Sequence, residues 1–401
     1  MRVLIVSDYL PYPPVSGDRL RVYHLLRRIA AQHEVTLAAP IRPEDGPEAV
    51  LQLRQFCQTV HTGYLARRHP LRHVPGLVRY ALAGTPPELL FQDSQELKES
   101  VRQAFSTTQF DIVQVEHSCM APYIECLPDS YHCGRVLVFH NIASQQFARI
   151  WRLQPGPVDK GRTWLHSQLM RRWEPHYAGR FDRCITVSEP DRRLLLAANP
   201  RLRVDVVPNG VDTVSFQPLA DSVQPPALLF VGTLSYAPCR DAALLLLERI
   251  LPLVRSRIPD IRVYVVGSDP PPEVARLQGD GVEVTGRVPD VVPYYRSSSV
   301  AVVPLRAGGG TRLKILEAMA LGRPVVSTSI GCEGLDVVDG EHLLVADDTQ
   351  RFADCIVRLM SDIPLRQQIT ANARQLVIAK YDWDAIAARQ LDVYARLVAQ
   401  P

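Results

Sequence analysis

The chain has 401 residues, 46% hydrophobic and 22% charged, which excludes a disordered, collagen-like or heptad-repeat protein and leaves room for two domains of ordinary size. Its 45 basic and 42 acidic residues leave a net charge of +3, too little for coating nucleic acid by counterion release, so no nucleic-acid partner is expected. The eight cysteines include no C-x-x-C pair, and no histidines cluster at zinc spacing; no metal site or redox motif is expected, and the thiols read as reduced and cytoplasmic. Residues 1–7 are apolar over too short a run for a signal peptide, and no run of 18 apolar residues occurs. A soluble chain is expected, free to lie on a membrane surface.

Short Val/Ile/Leu runs at 3–6, 35–39, 112–115, 136–139, 184–187 and 204–207 alternate with helix-length segments. Strands apolar on both faces and separated by helices predict a parallel sheet covered on both sides. A second series, 228–231, 263–266, 282–285, 300–303, 324–328 and 343–345, follows a proline-containing stretch at 217–226. The predicted fold is α/β, two doubly wound Rossmann-like domains facing a central cleft, joined within 213–226. Residues 364–400 read as helix, interrupted by Tyr381-Asp382-Trp383.

Ligands of such sheets lie beyond the carboxyl ends of the strands. After the first predicted strand, Pro11 to Arg19 lead into a helical pattern, and Gly17 admits two readings: close approach of backbone N–H groups to a phosphate, or a turn with Asp18 as the helix cap. Glu116-His117 and His140-Asn141 close two later strands. Either histidine could bond a sugar hydroxyl or a neighbouring loop. Ser188 reads as a helix cap and Pro208-Asn209-Gly210-Val211-Asp212 as a turn.

The most informative stretch runs from Val303 to Ser327. A buried strand enters Gly308-Gly309-Gly310-Thr311, then a helix whose first turn carries Arg312 and Lys314. Bare N–H groups, a helix amino terminus and two cations make a diphosphate cradle, and only four of the 45 basic residues are lysine. Glu317, about one turn on, is placed to accept from ribose hydroxyls, and Gly322 ends the helix.

With Tyr12-Pro13-Pro14, Gly17, His140-Asn141, Pro208 to Asp212, Val231-Gly232-Thr233-Leu234 and the run from Lys314 to Pro324, the chain resembles the retaining GT-B glycosyltransferases of family 4, in the glycogen and starch synthase superfamily. The resemblance implies an acceptor-binding domain at 1–213, a nucleotide-sugar domain at 214–380 and a final helix at 381–401 that crosses back to the first domain. It implies that His140 sits beside the transferred sugar and Gly17 and Gly232 by the donor phosphates. Arg312 and Lys314 act on the leaving diphosphate, Gly309, Gly310 and Thr311 line it, and Glu317 holds the ribose. Gly286-Arg287-Val288 resembles the loop that reads the base. Two departures stand out: the first of the family's paired glutamates is Gly309 here, and the loop Thr233 to Arg240 lacks the usual Arg and Lys, leaving Arg240 to assist.

The implied activity is transfer of a hexose-like sugar from a UDP-sugar or GDP-sugar, a substrate and not a resident cofactor, to a glycan or lipid-linked acceptor in surface or exopolysaccharide synthesis. It proceeds without a metal, since the diphosphate is neutralised by cations and N–H groups. Residues 149–183 interleave Trp151, Trp164, Trp173, Tyr177 and Phe181 with eight basic residues, Arg149, Arg152, Lys160, Arg162, Arg171, Arg172, Arg180 and Arg183. Two readings stay open: a surface on anionic headgroups at the inner face of the cell membrane, to which Arg67, Arg68, His69, Arg72, His73 and Arg79 add, or a solvated helix whose aromatics pack inside. Alternative functions are a transferase for a small soluble acceptor, a non-catalytic scaffold, and a sugar-nucleotide epimerase.

Overall fold

Thirteen parallel strands, each short and most of them Val, Ile and Leu, form two sheets in a computed structural model that describes residues 1–43, 45–65, 85–86, 89, 92, 94–219 and 226–399. The first sheet has the order β3-β2-β1-β4-β5-β6-β7, with β1 Arg2–Val6, β2 Glu34–Ile41, β3 Thr59–Tyr64, β4 Ile112–Glu116, β5 Gly134–Phe139, β6 Arg183–Thr186 and β7 Val204–Val206. The second has the order β10-β9-β8-β11-β12-β13, with β8 Ala227–Val231, β9 Arg262–Val266, β10 Val282–Gly286, β11 Val300–Val303, β12 Val325–Ser327 and β13 Leu344–Val345. Both orders reverse once, between β1 and β4 and between β8 and β11. At such a reversal neighbouring helices leave to opposite faces and open a crevice at the carboxyl ends of the strands.

Every predicted strand is present. The unpredicted one is β3, at the sheet edge, where only Val60 and Gly63 are buried. With so few of its positions buried, this edge strand carries no continuous apolar run. Gly63 is needed there because a Cβ would come within 2.6 Å of the Leu97 backbone in the helix Gln95–Thr107.

The chain divides into two compact units. Unit 1 comprises Met1–Ala148, Gly161–Pro208 and Asp384–Pro401; unit 2 comprises Arg149–Lys160 and Asn209–Trp383. These limits differ from the expected 1–213, 214–380 and 381–401: the units divide between Pro208 and Asn209, 149–160 go with the second, and the second runs to Trp383. From Asp384 onward the helix Trp383–Val398 belongs to unit 1. Ile386, Val393 and Tyr394 are buried, Arg396 pairs with Asp205 at 3.0 Å, and Leu397 approaches Gly134 so closely that a Cβ there would lie 3.3 Å away. Tyr381 and Trp383, the aromatics that break the helical pattern, are buried as well.

Candidate functional site

In unit 1, β1 runs out into Ser7-Asp8-Tyr9 and β4 into Glu116-His117, the two strands that flank the reversal, while β5 runs out into His140. His140 Nε2 meets Glu116 Oε2 at 2.7 Å, and its Nδ1 faces Asp18 Oδ1 at 3.8 Å. The imidazoles of His117 and His140 stack with centroids 3.8 Å apart and planes 24° from parallel. His117 Nε2 in turn lies 3.1 Å from the Tyr9 hydroxyl and 3.7 Å from Asp8 Oδ1. His117 has φ 67°, a left-handed conformation costly for a side chain of this kind and characteristic of functional positions.

Opposite protonation follows from these neighbours. Burial would strip the proton from His140, but the Asp18 carboxylate facing it and the hydrogen bond and charge of Glu116 outweigh burial and raise the group to about 9. For His117 burial wins, helped by the His140 charge, and it sits below the ordinary histidine value despite Asp8, Asp18 and Glu116. Burial also opposes the Glu116 charge, yet His140, Arg21 and His117 hold that carboxyl low. The site therefore presents one charged and one neutral imidazole at neutral pH.

Asp18, His117 and His140 bring one ligand atom each within 4.8 Å of one another, close enough to hold a metal ion. The two rings lie face to face, however, and both nitrogens of His140 look at carboxylates. Ligands of one ion converge with their lone pairs and carry no proton on the ligating atom, so this geometry suits a shared proton better.

Gly17 opens the helix Gly17–Ala30, but the cap is Ser16, whose Oγ accepts from the Arg19 N–H at 3.5 Å. Of the two readings of Gly17, the one with Asp18 as the cap is thus corrected: Asp18 lies in the first turn and faces His140 instead. Glu174, buried in the helix Pro157–Ala178, accepts from the N–H groups of Ala143 (2.7 Å) and Ser144 (3.1 Å), fixing the helix that follows His140. Ser188 caps its helix as expected.

In unit 2 the strand ends on either side of the reversal are Val231-Gly232 and Val303-Pro304. The loop after β11 carries Gly308 at φ 132° and Gly310 at φ 66°, both in the left-handed region that favours glycine, and delivers the helix Leu313–Ala320. Lys314, in its first turn, crosses to the end of β8: its Nζ lies 3.8 Å from Cys239 Sγ and 4.8 Å from the Phe230 ring centroid. A Cβ on Gly232 would come within 2.8 Å of that Nζ.

Arg312 is buried and turns back, its Nη1 donating to the carbonyls of Gly309 and Gly310. It braces the glycine loop. Its Nη2 and Thr311 Oγ1 are buried without a hydrogen-bond partner among the described residues, an arrangement folding alone does not reward. Arg149 clasps the loop from outside, donating to the Gly308 carbonyl at 2.9 Å and forking onto both oxygens of Glu333. Burial raises the Glu317 carboxyl, while Lys314 and the Tyr295 hydroxyl, 3.4 Å away, draw it back.

Three glycines lie at the carboxyl edge of this sheet. Gly232 follows β8, Gly267 follows β9 and Gly286 ends β10 at φ 70°. The Gly267 N–H donates to the Gly286 carbonyl at 3.1 Å, and a Cβ on Gly267 would fall 1.7 Å from the Gly232 oxygen. Arg287 is exposed and Val288 packs on the core. Arg240 faces Glu273 at 3.7 Å, so its charge is already partly answered.

The basic aromatic segment splits between its two readings. Trp173 and Tyr177 pack together at 4.1 Å and Phe181 is buried, whereas Trp164 is 54% exposed and Trp151 38%. On the helix Pro157–Ala178 the exposed apolar Val158, Trp164 and Leu165 accompany exposed Lys160, Arg162, Arg171 and Arg172. Arg67, Arg68, His69, Arg72, His73 and Arg79 lie outside the described residues. No helix among the described residues is long and apolar enough to cross a membrane.

The sequence reading missed Asp8, Arg21 and Gly267. Arg21 had a signal: it is a lone charge on the apolar stripe of Val22, Leu25, Leu26 and Ile29. It is buried, and donates to the Pro208 carbonyl at 2.7 Å.

Comparison with known proteins follows the same division. The family model described as Glycosyltransferase Family 4 matches residues 16–215, and that described as Glycosyl transferases group 1 matches 225–362. The phosphatidyl-myo-inositol mannosyltransferase of Mycolicibacterium smegmatis is 30% identical, over 98% of this chain and 93% of its own length. An uncharacterized 44.6 kDa protein in the cps region of Klebsiella pneumoniae is 22% identical, over 95% of this chain and 96% of its own. Among solved structures, sucrose-phosphate synthase from Thermosynechococcus elongatus matches with a TM-score of 0.74 at 20% identity, covering 100% of both chains. Anabaena HepE in complex with UDP-glucose matches with 0.70 at 17% identity, covering 99% of this chain and 100% of that one. The fold shared with these structures is GT-B.

Proposed function

Because the chain belongs to glycosyltransferase family 4 and is a nucleotide-sugar-dependent glycosyltransferase, we propose that it moves a hexose-like sugar from a UDP-sugar or GDP-sugar to a glycan or lipid-linked acceptor, without a metal and with retained configuration. The observation that carries this reading is the cradle at 308–314, where the glycine loop after β11, with the orphaned Thr311 hydroxyl, enters a helix whose Lys314 ammonium reaches the end of β8. As the anomeric C–O bond breaks, Lys314 and the free N–H groups take up the charge growing on the diphosphate. Arg312 keeps the loop in shape, Glu317 receives the ribose hydroxyls, and the end of β10 at Gly286-Arg287-Val288 receives the base. In unit 1, protonated His140 keeps Nε2 on Glu116 and offers its Nδ1 N–H, which is not hydrogen-bonded to Asp18 at 3.8 Å, to the transferred sugar, and Gly17 serves the phosphates. The acceptor oxygen bonds the anomeric carbon on the leaving-group side, and its proton passes to the departing phosphate.

A lipid-linked acceptor and a place at the inner face of the membrane are supported by Trp164 and Leu165 standing exposed among arginines, and by the Mycolicibacterium relative being a phosphatidyl-myo-inositol mannosyltransferase. A role in surface or exopolysaccharide synthesis is supported by the cps-region relative.

The test is a thermal-shift panel of UDP, GDP, ADP and TDP with and without EDTA, since a ligand of the folded state raises the melting temperature by mass action. One nucleotide should stabilise the protein, indifferent to EDTA and far less in Lys314→Ala. No shift from any of the four would favour a scaffold. Flotation with anionic vesicles, lost in Arg171→Glu/Arg172→Glu, tests the lipid acceptor; no flotation of the unaltered protein would point to a small soluble one.

A further inference from the structure

Behind His140 a chain of buried hydrogen bonds leads away from the strand ends to the last helix. Glu116 bonds His140 with Oε2 and accepts from Gln114 Nε2 at 2.6 Å with Oε1. Gln114 Oε1 accepts twice, from Gln390 Nε2 and from the Tyr394 hydroxyl, both at 2.6 Å. Gln390 Nε2 also donates to the Tyr394 oxygen at 3.1 Å, while Gln390 Oε1 has no partner among the described residues. Gln114, Glu116, His140, Gln390 and Tyr394 are all buried within unit 1.

A primary amide has one accepting and one donating end, and in a closed pocket its partners decide which way it points. Two donors from the last helix claim the Gln114 oxygen, so its NH2 must face Glu116. Turned over, the amide would set its oxygen against a carboxylate. We propose that Gln390 and Tyr394 are positioning residues for the transfer reaction: by locking the Gln114 amide they keep Glu116 charged and bonded to His140, and so keep the sugar-facing imidazole protonated.

The groups acting on His140 come from four elements: Glu116 on β4, Asp18 on the helix Gly17–Ala30, His117 after β4 and Asp8 after β1. Glu116 is faced in addition by Arg21, Tyr9 and Tyr394. Asp18 and Arg21 sustain part of the charge on their own, so removing the lock should weaken the pair without abolishing it.

The inference deepens the proposed sugar-transfer role of His140, and its readout is separate from that role: the titration of the His140 ring, followed by NMR on the unliganded protein with labelled histidine. In the unaltered chain the ring should stay protonated past neutrality, with a midpoint near 9. Gln390→Met/Tyr394→Phe should lower the midpoint by about one unit, the scale of a lost hydrogen bond to a carboxylate. Gln114→Met should lower it equally, and combining all three should add nothing further, because the helix acts only through Gln114. Tyr394→Phe alone, which removes a single oxygen, should give a smaller fall in the same direction and covers the case in which the double variant does not fold. An unmoved midpoint in any folded helix variant, or shifts that add in full to that of Gln114→Met, would overturn the proposal. If the midpoints move as expected while sugar transfer at pH 7 is unaffected, the lock stands and the role of His140 at the sugar falls.

Discussion

His117 and His140 stack with ring centroids 3.8 Å apart, yet their surroundings drive their protons in opposite directions. Two charged imidazoles at that distance would repel; Glu116 and Asp18 fix the charge on His140, and His117 stays neutral.

Stability should record this. The folded value for His140 lies above the ordinary 6.5, so its contribution is complete below about pH 6.5 and is lost as pH rises through about 9. The shift corresponds to a loss on the order of 3 kcal/mol. Urea unfolding between pH 6 and 10 should show this decline in the unaltered chain, and His140→Asn should lack it.

Glu174 behaves in the opposite chemical sense. Burial raises its carboxyl to about 7 against the opposing hydrogen bonds from Ser144 and Ala143. The folded chain therefore holds a proton that the unfolded chain has released, and stability falls as pH rises from about 4.5 to 7. Glu174→Gln, always neutral, should flatten the melting temperature between pH 5 and 8.

Two alanine substitutions at strand ends should separate ligand binding from folding. In Gly232→Ala the new methyl meets Cys239 Sγ and the mobile end of Lys314, so the fold should survive while donor KM rises roughly tenfold, about 1.4 kcal/mol. In Gly267→Ala the methyl meets the Gly232 carbonyl itself, and thermal unfolding should show a loss above about 3 kcal/mol.

Arg149 and Glu333 should act as a unit on the glycine loop. A double-mutant cycle with Arg149→Met and Glu333→Gln, read by denaturant unfolding, should give a coupling of about 1 kcal/mol. Each single variant should also weaken nucleotide binding several-fold by freeing the Gly308 carbonyl.

Legibility in the sequence followed how local each feature is. Central strands such as β1 and β5 are apolar on both faces and could be read directly, while β3 hid because only Val60 and Gly63 of this edge strand are buried. The glycine loop and the helix it enters were legible because Gly308, Gly309, Gly310, Lys314 and Glu317 fall within ten consecutive residues. The cluster around His140 was not, since Asp8, Asp18, Arg21, Glu116 and His117 come from separate segments and only the sheet order gathers them. Asp18 passed for a cap because Ser16, two residues earlier, offers the same chemistry at the helix start.

The helix Trp383–Val398 also sets an order on the making of this protein. Its partners in unit 1 lie far back along the chain: Arg28 pairs with Asp384, and Gln114 lies 276 residues before Gln390. On a ribosome that releases the chain from its amino end, the first sheet emerges early but waits, with the Gln114 pocket open, until all of unit 2 has been translated. Competence of the first-made half thus arrives last, and a chain stopped short of residue 384 would lose the support of His140 although every residue of that strand end had already been synthesised.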